Sequence, residues 1–256
     1  MKTLLAILKK EWMETVRSGK LTVLVILSVL FGIMNPAIAK LTPWMMELLS
    51  DSLSENGLSV GNITVDALTS WTQFFKNIPL LLVVLVLIYN SIFTKEYQSG
   101  TLIPILTKGL PRYKIVLAKF ILVFSLWTFC YWLCFLVTYG YNGFYWDNRT
   151  VSCLFSAALY WWLFGAGITS VMVFFSTFSS GSTGVLLGTG GYVIAAYTVG
   201  LLPHIKEYSP VMLTNSLQLL TASAKPQDCM KAVLVTVLLG TFSVTASVPL
   251  FNRKQL

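Results

Sequence analysis

The sequence predicts an all-α polytopic membrane protein: six transmembrane helices behind an N-terminal interfacial helix, with both termini on the cytoplasmic side. Three observations predict it. Of 256 residues, 55% are hydrophobic and only 11% are charged, against roughly 25% charged in an ordinary soluble domain. The 18 Lys and Arg with 10 Asp and Glu are too few to coat a water-facing surface. The apolar residues fall into runs of about twenty, the length that crosses a hydrocarbon core about 30 Å thick at about 1.5 Å per helical residue. The charged residues bunch between those runs. The net charge of +8 lies along the span edges with no basic tract and interleaved aromatics, which argues against a nucleic-acid partner.

Residues 1–20 read as a cytoplasmic amphipathic helix lying on the membrane, and 21–256 as the six-span domain. In the first segment Leu4, Leu5, Leu8, Trp12 and Val16 recur at three- to four-residue spacing, while Lys2, Lys9, Lys10 and Arg17 suit anionic headgroups. Its apolar stretch, Leu4 to Leu8, is too short for a signal peptide. The spans follow at about Leu21–Ala39, Pro79–Phe93, Ile115–Tyr139, Val151–Phe175, Val185–Leu202 and Cys229–Leu250. The third is rich in aromatics. The fourth has room for a bend at Gly165 and Gly167.

Between the first two spans an external loop, 40–77, is expected to hold a short helix on the outer leaflet, begun by Thr42 as cap and Pro43 in the first turn, with Trp44, Leu48 and Leu49 as its apolar side. A gate or partner site is the other reading of this helix. Orientation follows from the basic residues. With the N-terminus inside, two thirds of the 18 Lys and Arg fall on the inner side, the arrangement cytoplasmic flanks favour.

Catalytic chemistry is hardly legible. Ionisable groups at span centres, the mark of a buried reaction site, are almost lacking. One His, His204, fits an interfacial loop and cannot build a zinc cluster. Cys130 and Cys134 read as small apolar core residues. Cys153 and Cys229 near the outer span ends leave a disulfide open. The glycines from Gly181 to Gly191 lack the Lys and the strand-to-helix setting of a phosphate loop. Gly165, Gly167, Gly188 and Gly191 fit close helix packing, with a hinge as the alternative. The sequons at Asn62 and Asn148 carry little weight. Catalytic, cofactor-binding and metal residues are therefore expected to be none.

The inside loop, 94–114, is the most informative stretch. Glu96, then Gly100, Thr101 and Leu102, then Leu106, Arg112 and Lys119 stand in an order that, together with ILKKEWMETVRSGK ahead of the first span, resembles the permease subunit of ABC-2 type ABC transporters, of the six-span bacterial kind whose ATPase is a separate polypeptide. Gly109 stands where that family often has Pro, Ala118 where it has Gly, and Pro104 interrupts the Leu-rich part.

The resemblance implies that the chain is a non-catalytic permease subunit of an ATP-driven exporter in the bacterial cytoplasmic membrane. Its implied partners are two separate cytoplasmic ABC ATPase subunits, which bind ATP and Mg, a second permease subunit in a homo- or heterodimer, and membrane lipids. It also implies that Glu96, Gly100, Thr101, Leu102, Leu106 and Arg112 couple the chain to the ATPase, with Trp12 and Arg17 on the interfacial helix. An amphiphilic cargo such as a drug or antimicrobial peptide suits spans whose polar groups are hydroxyls and amides. Two rivals stay open: a secondary transporter driven by an ion gradient, and a membrane scaffold or immunity protein that transports nothing.

Overall fold

The computed structural model describes residues 2–55, 65–102, 107 and 110–253, and among them there is no strand. Helix α1 (Lys2–Arg17) is followed after two residues by α2 (Lys20–Glu55). Gly19, at φ 73°, takes the left-handed conformation that turns the chain so abruptly. Next come α3 (Ala67–Tyr89), the one-and-a-half-turn α4 (Thr94–Ser99), α5 (Arg112–Tyr145), α6 (Leu154–Phe178), α7 (Ser182–Gly200), the short α8 (Ser216–Leu220) and α9 (Met230–Arg253). Six of them, α2, α3, α5, α6, α7 and α9, are long and apolar enough to cross a membrane.

Helix α6 is the most buried of the six and packs against α5, α7 and α9, while α2 packs against both α3 and α5. Lipid tails are as apolar as leucine, so such contacts need backbones that approach closely. Gly165 meets this need: a methyl group there would run into the indole of Trp127, whose Nε1 donates to the Trp162 carbonyl at 2.9 Å. Gly167 and Gly188 likewise face Thr236 and Phe175, whereas Gly191 meets no neighbour among the described residues. Gly165→Ala is expected to lose about 1–3 kcal/mol through overpacking, read as a lowered thermal transition in detergent, while Gly191→Ala leaves that transition in place.

The fold departs from the expected boundaries in one informative way. Helix α2 runs unbroken through Pro36 and Pro43 to Glu55, so no separate helix begins at Thr42. The Thr42 hydroxyl donates back to the Ile38 carbonyl at 2.8 Å instead of capping, and Trp44 and Leu48 are exposed. Pro36 has no N–H for the Gly32 carbonyl one turn earlier. The Thr138 hydroxyl of α5 donates to that carbonyl at 3.1 Å and accepts from Asn35 at 3.2 Å, and Asn35 accepts from Asn77 of α3 at 2.8 Å. A broken intrahelical bond thus becomes a tie among three helices.

The fourth span, α6, is a single unbroken helix. All four cysteines are free thiols, with Cys130 and Cys134 buried, so Cys153 and Cys229 form no disulfide. Asn148 is buried, accepts from the Trp71 indole at 3.0 Å and donates to the Tyr139 carbonyl at 3.0 Å, a clamp that turns its side chain into the fold. Asn62 lies outside the described residues. His204 is exposed in a turn after α7. From there to α9 the chain makes short helical turns that pack Leu213, Leu219 and Leu220 against the core.

Candidate functional site

Both chain ends reach one end of the bundle: Lys114 at the start of α5 donates to Thr3 at 2.9 Å, and Arg112 donates to the Phe251 and Asn252 carbonyls at the end of α9, at 2.6 and 3.0 Å. Helix α4 sits at this end. Its limits are set locally: Phe93 precedes it, and Gly100, at φ 66°, closes it in the left-handed conformation.

Four charged side chains from α1, α4 and α5 meet beneath it. Lys119 is 1% exposed, and such a cation is tolerated in an apolar interior only when its donors are satisfied. Its ammonium donates to Glu11 at 3.0 Å and to the Ile92 carbonyl at 2.9 Å, and it is paired with the charge of Glu96 at 2.9 Å. The other Glu96 oxygen accepts from Lys10 at 2.8 Å, and Lys10 lies 3.5 Å from Glu11. The charges alternate around a closed ring. Burial works against the charge of Lys10, but the hydrogen bond to Glu96 and the charges of Glu96, Glu11 and Glu14 hold its pKa above the usual lysine value.

Helix α4 is also fastened to the other side of the bundle. Tyr97 donates to the Thr177 carbonyl near the end of α6 at 2.7 Å. Phe93, Tyr97 and Phe251 form an aromatic cluster with centroids 5.5–6.2 Å apart, and Lys119 stands 5.2 Å over the Phe93 ring. Tyr89, at the end of α3, donates to Thr15 of α1 at 3.2 Å. One short helix is therefore joined to α1, α5, α6 and α9.

The residues singled out from the sequence separate into two sets. Glu96 and Arg112 turn inward, the first into the ring and the second onto the carboxyl end of α9, where a cation is favoured. Leu102 is buried in the core. Thr101 is exposed, its hydroxyl 3.1 Å from that of Ser99. Leu106, with Ile105 and Lys108, lies outside the described residues. Trp12 and Arg17 are exposed on α1. The outward surface of α4 is formed by Lys95, Gln98 and Ser99, none of which the sequence singled out.

Lys10, Glu11 and Tyr97 were also missed as site residues, and Lys119 was noticed only as part of the loop pattern. A signal existed for Glu11. The expected apolar stripe of α1 is two faces: Leu5, Trp12 and Val16 point away from the protein, whereas Leu4, Leu8, Glu11 and Thr15 share the face turned to it. A carboxylate in that second set, opposite an isolated Lys in a span, is the pattern of an ion pair.

Away from this end, two apolar clefts run along the bundle. One of about 410 Å³ lies between α3 and α7 over α6, lined by residues including Leu82, Trp161, Ile168 and Thr189. The other, about 290 Å³, lies between α5 and α9 over α6. Among the described residues no three His, Cys, Asp or Glu side chains gather in a metal-sized group, and the buried charged groups are Glu11 and Lys119.

A family model described as ABC-2 family transporter protein matches residues 5–250. No curated protein and no solved structure matches the chain.

Proposed function

Because the chain belongs to the ABC-2 family of transporter proteins, we propose that it is the permease subunit of an ATP-driven exporter whose ATP and Mg are bound by two separate cytoplasmic ATPase subunits. It pairs with a second permease chain in a bacterial cytoplasmic membrane. The observation that carries this reading is the mounting of α4: a short helix with Gln98 and Ser99 exposed and an inner face joined to four other helices. A push on the exposed face passes into α5, α6 and α9 without an intervening loop. Glu96 and Arg112 act in this lever as fastenings to the chain's own helices, with Gly100, Thr101 and Leu102 ending the helix and returning the chain to the core.

The cargo is an amphiphile such as a drug or antimicrobial peptide. The α3/α6/α7 cleft supports this class: it is almost wholly apolar, and its few hydroxyls include Thr189, already bonded to the Val185 carbonyl. A bare ion would find no ring of charges there.

The test is co-purification with the candidate ATPase followed by ATP-driven uptake of a lipophilic cationic dye into inverted vesicles. A two-plus-two complex and ATP-dependent uptake are expected. Gln98→Arg with Ser99→Arg, on the exposed face alone, is expected to weaken co-purification at least tenfold and leave the permease folded. Uptake that persists at the normal rate in a permease lacking residues 94–110 would sink the assignment.

A further inference from the structure

A cavity of about 430 Å³ opens where the last turn of α1 meets α4, lined by Lys10, Met13, Glu14, Arg17, Ser18 and Lys95. Lys10 has its charge answered by the four-charge ring. Among the described residues neither Arg17 nor Lys95 has a carboxylate within ion-pair distance. Set against Glu14, these two leave one positive charge unanswered in a concave site of a size that holds a small ligand. Lys20 stands in the adjoining polar recess with Lys95, 5.3 Å over the Tyr89 ring, and brings a further cation.

The surroundings of the cavity say what kind of anion fits. Met13 lines its wall, and Leu5, Trp12, Met13 and Val16 are all exposed along α1, with Leu5 at 62%. An apolar stripe beside basic groups on a surface helix places the cations at headgroup depth and the stripe among acyl chains. A free phosphate would leave that stripe uncovered.

We propose that this cavity binds the monoanionic phosphodiester headgroup of one membrane lipid, held by Arg17 and Lys95, with its acyl chains lying along the Met13 and Val16 side of α1. The site draws on both the interfacial helix and the lever helix, so an occupied site ties the two together from the membrane side. It does not depend on the transport reading: a lipid is bound here whether or not cargo moves.

The experiment is native mass spectrometry of the full chain in detergent, titrated separately with phosphatidylglycerol, phosphatidylcholine and inorganic phosphate. One phosphatidylglycerol is expected to bind at least tenfold more tightly than phosphatidylcholine. Arg17→Gln with Lys95→Gln is expected to weaken it about 30-fold, from roughly a factor of five for each basic group near the surface. The pair Lys206→Gln with Lys225→Gln, between α7 and α9, is expected to leave it unchanged. Glu14→Gln is expected to strengthen it about fivefold, a sign that a folding defect cannot produce. Equal binding of the two lipids, or an unchanged preference in the Arg17 and Lys95 variant, overturns the proposal. So does displacement of the lipid by millimolar inorganic phosphate, which would make the ligand a free anion.

Discussion

Replacing Lys119 with methionine is expected to destabilise the protein by about 3–5 kcal/mol, the usual cost of removing one partner from a buried ion pair. Glu11 and Glu96 then lose the cation between them, and the Ile92 carbonyl loses its donor. The change is read as a thermal transition in detergent lowered by about 10 °C. Adding Glu11→Gln and Glu96→Gln to the same chain takes away the unanswered charges and is expected to recover more than half of the loss, since neutral replacements of a whole ion cluster are often tolerated. A single variant as stable as the wild type would show that the ring does not hold these helices together. The expectation also bears on Glu96, which the family resemblance reads as a coupling residue. Glu96→Lys would put a third cation beside Lys10 and Lys119 and disturb the fold itself.

In the proposed complex with the ATPase, truncating Tyr97 to alanine is expected to separate ATP hydrolysis from transport. The change removes the bond to the Thr177 carbonyl and the ring packed between Phe93 and Phe251, but it leaves the exposed face of α4 and the four-charge ring in place. ATP hydrolysis by the assembled complex is expected to stay within about twofold, and dye uptake to fall at least tenfold, equivalent to about 1.4 kcal/mol of lost coupling. Tyr97→Phe keeps the ring and loses the hydrogen bond to Thr177, so its uptake is expected to lie between the two. Undiminished uptake by the alanine variant would mean that force leaves α4 by another route.

The six spans were legible because hydropathy and length report directly on the cost of leaving backbone and charge in lipid. Their ends were less so. The expected break near Thr42 rested on falling hydropathy and a Thr-Pro pair that imitates a cap, and neither feature shows that Thr138, about a hundred residues away, supplies the donor Pro36 lacks. The site was half legible for a similar reason. Spacing within a loop finds Glu96, Gly100 and Arg112, but their partners Lys10, Lys119 and Phe251 come from other helices. A charged residue in a loop reads as solvent-facing unless the sequence also shows the buried Lys that claims it.

Helix α5 is held by polar groups at two levels, Lys119 near its start and Thr138 near its end. At about 1.5 Å per residue these lie about 28 Å apart along the helix, close to the thickness of a bilayer's hydrocarbon core. The protein thus carries its own ruler. Because both marks are fixed on one rigid helix and bonded to its neighbours, a bilayer that is too thick or too thin is met by tilting the bundle or by deforming the lipid, and not by sliding α5 through its partners.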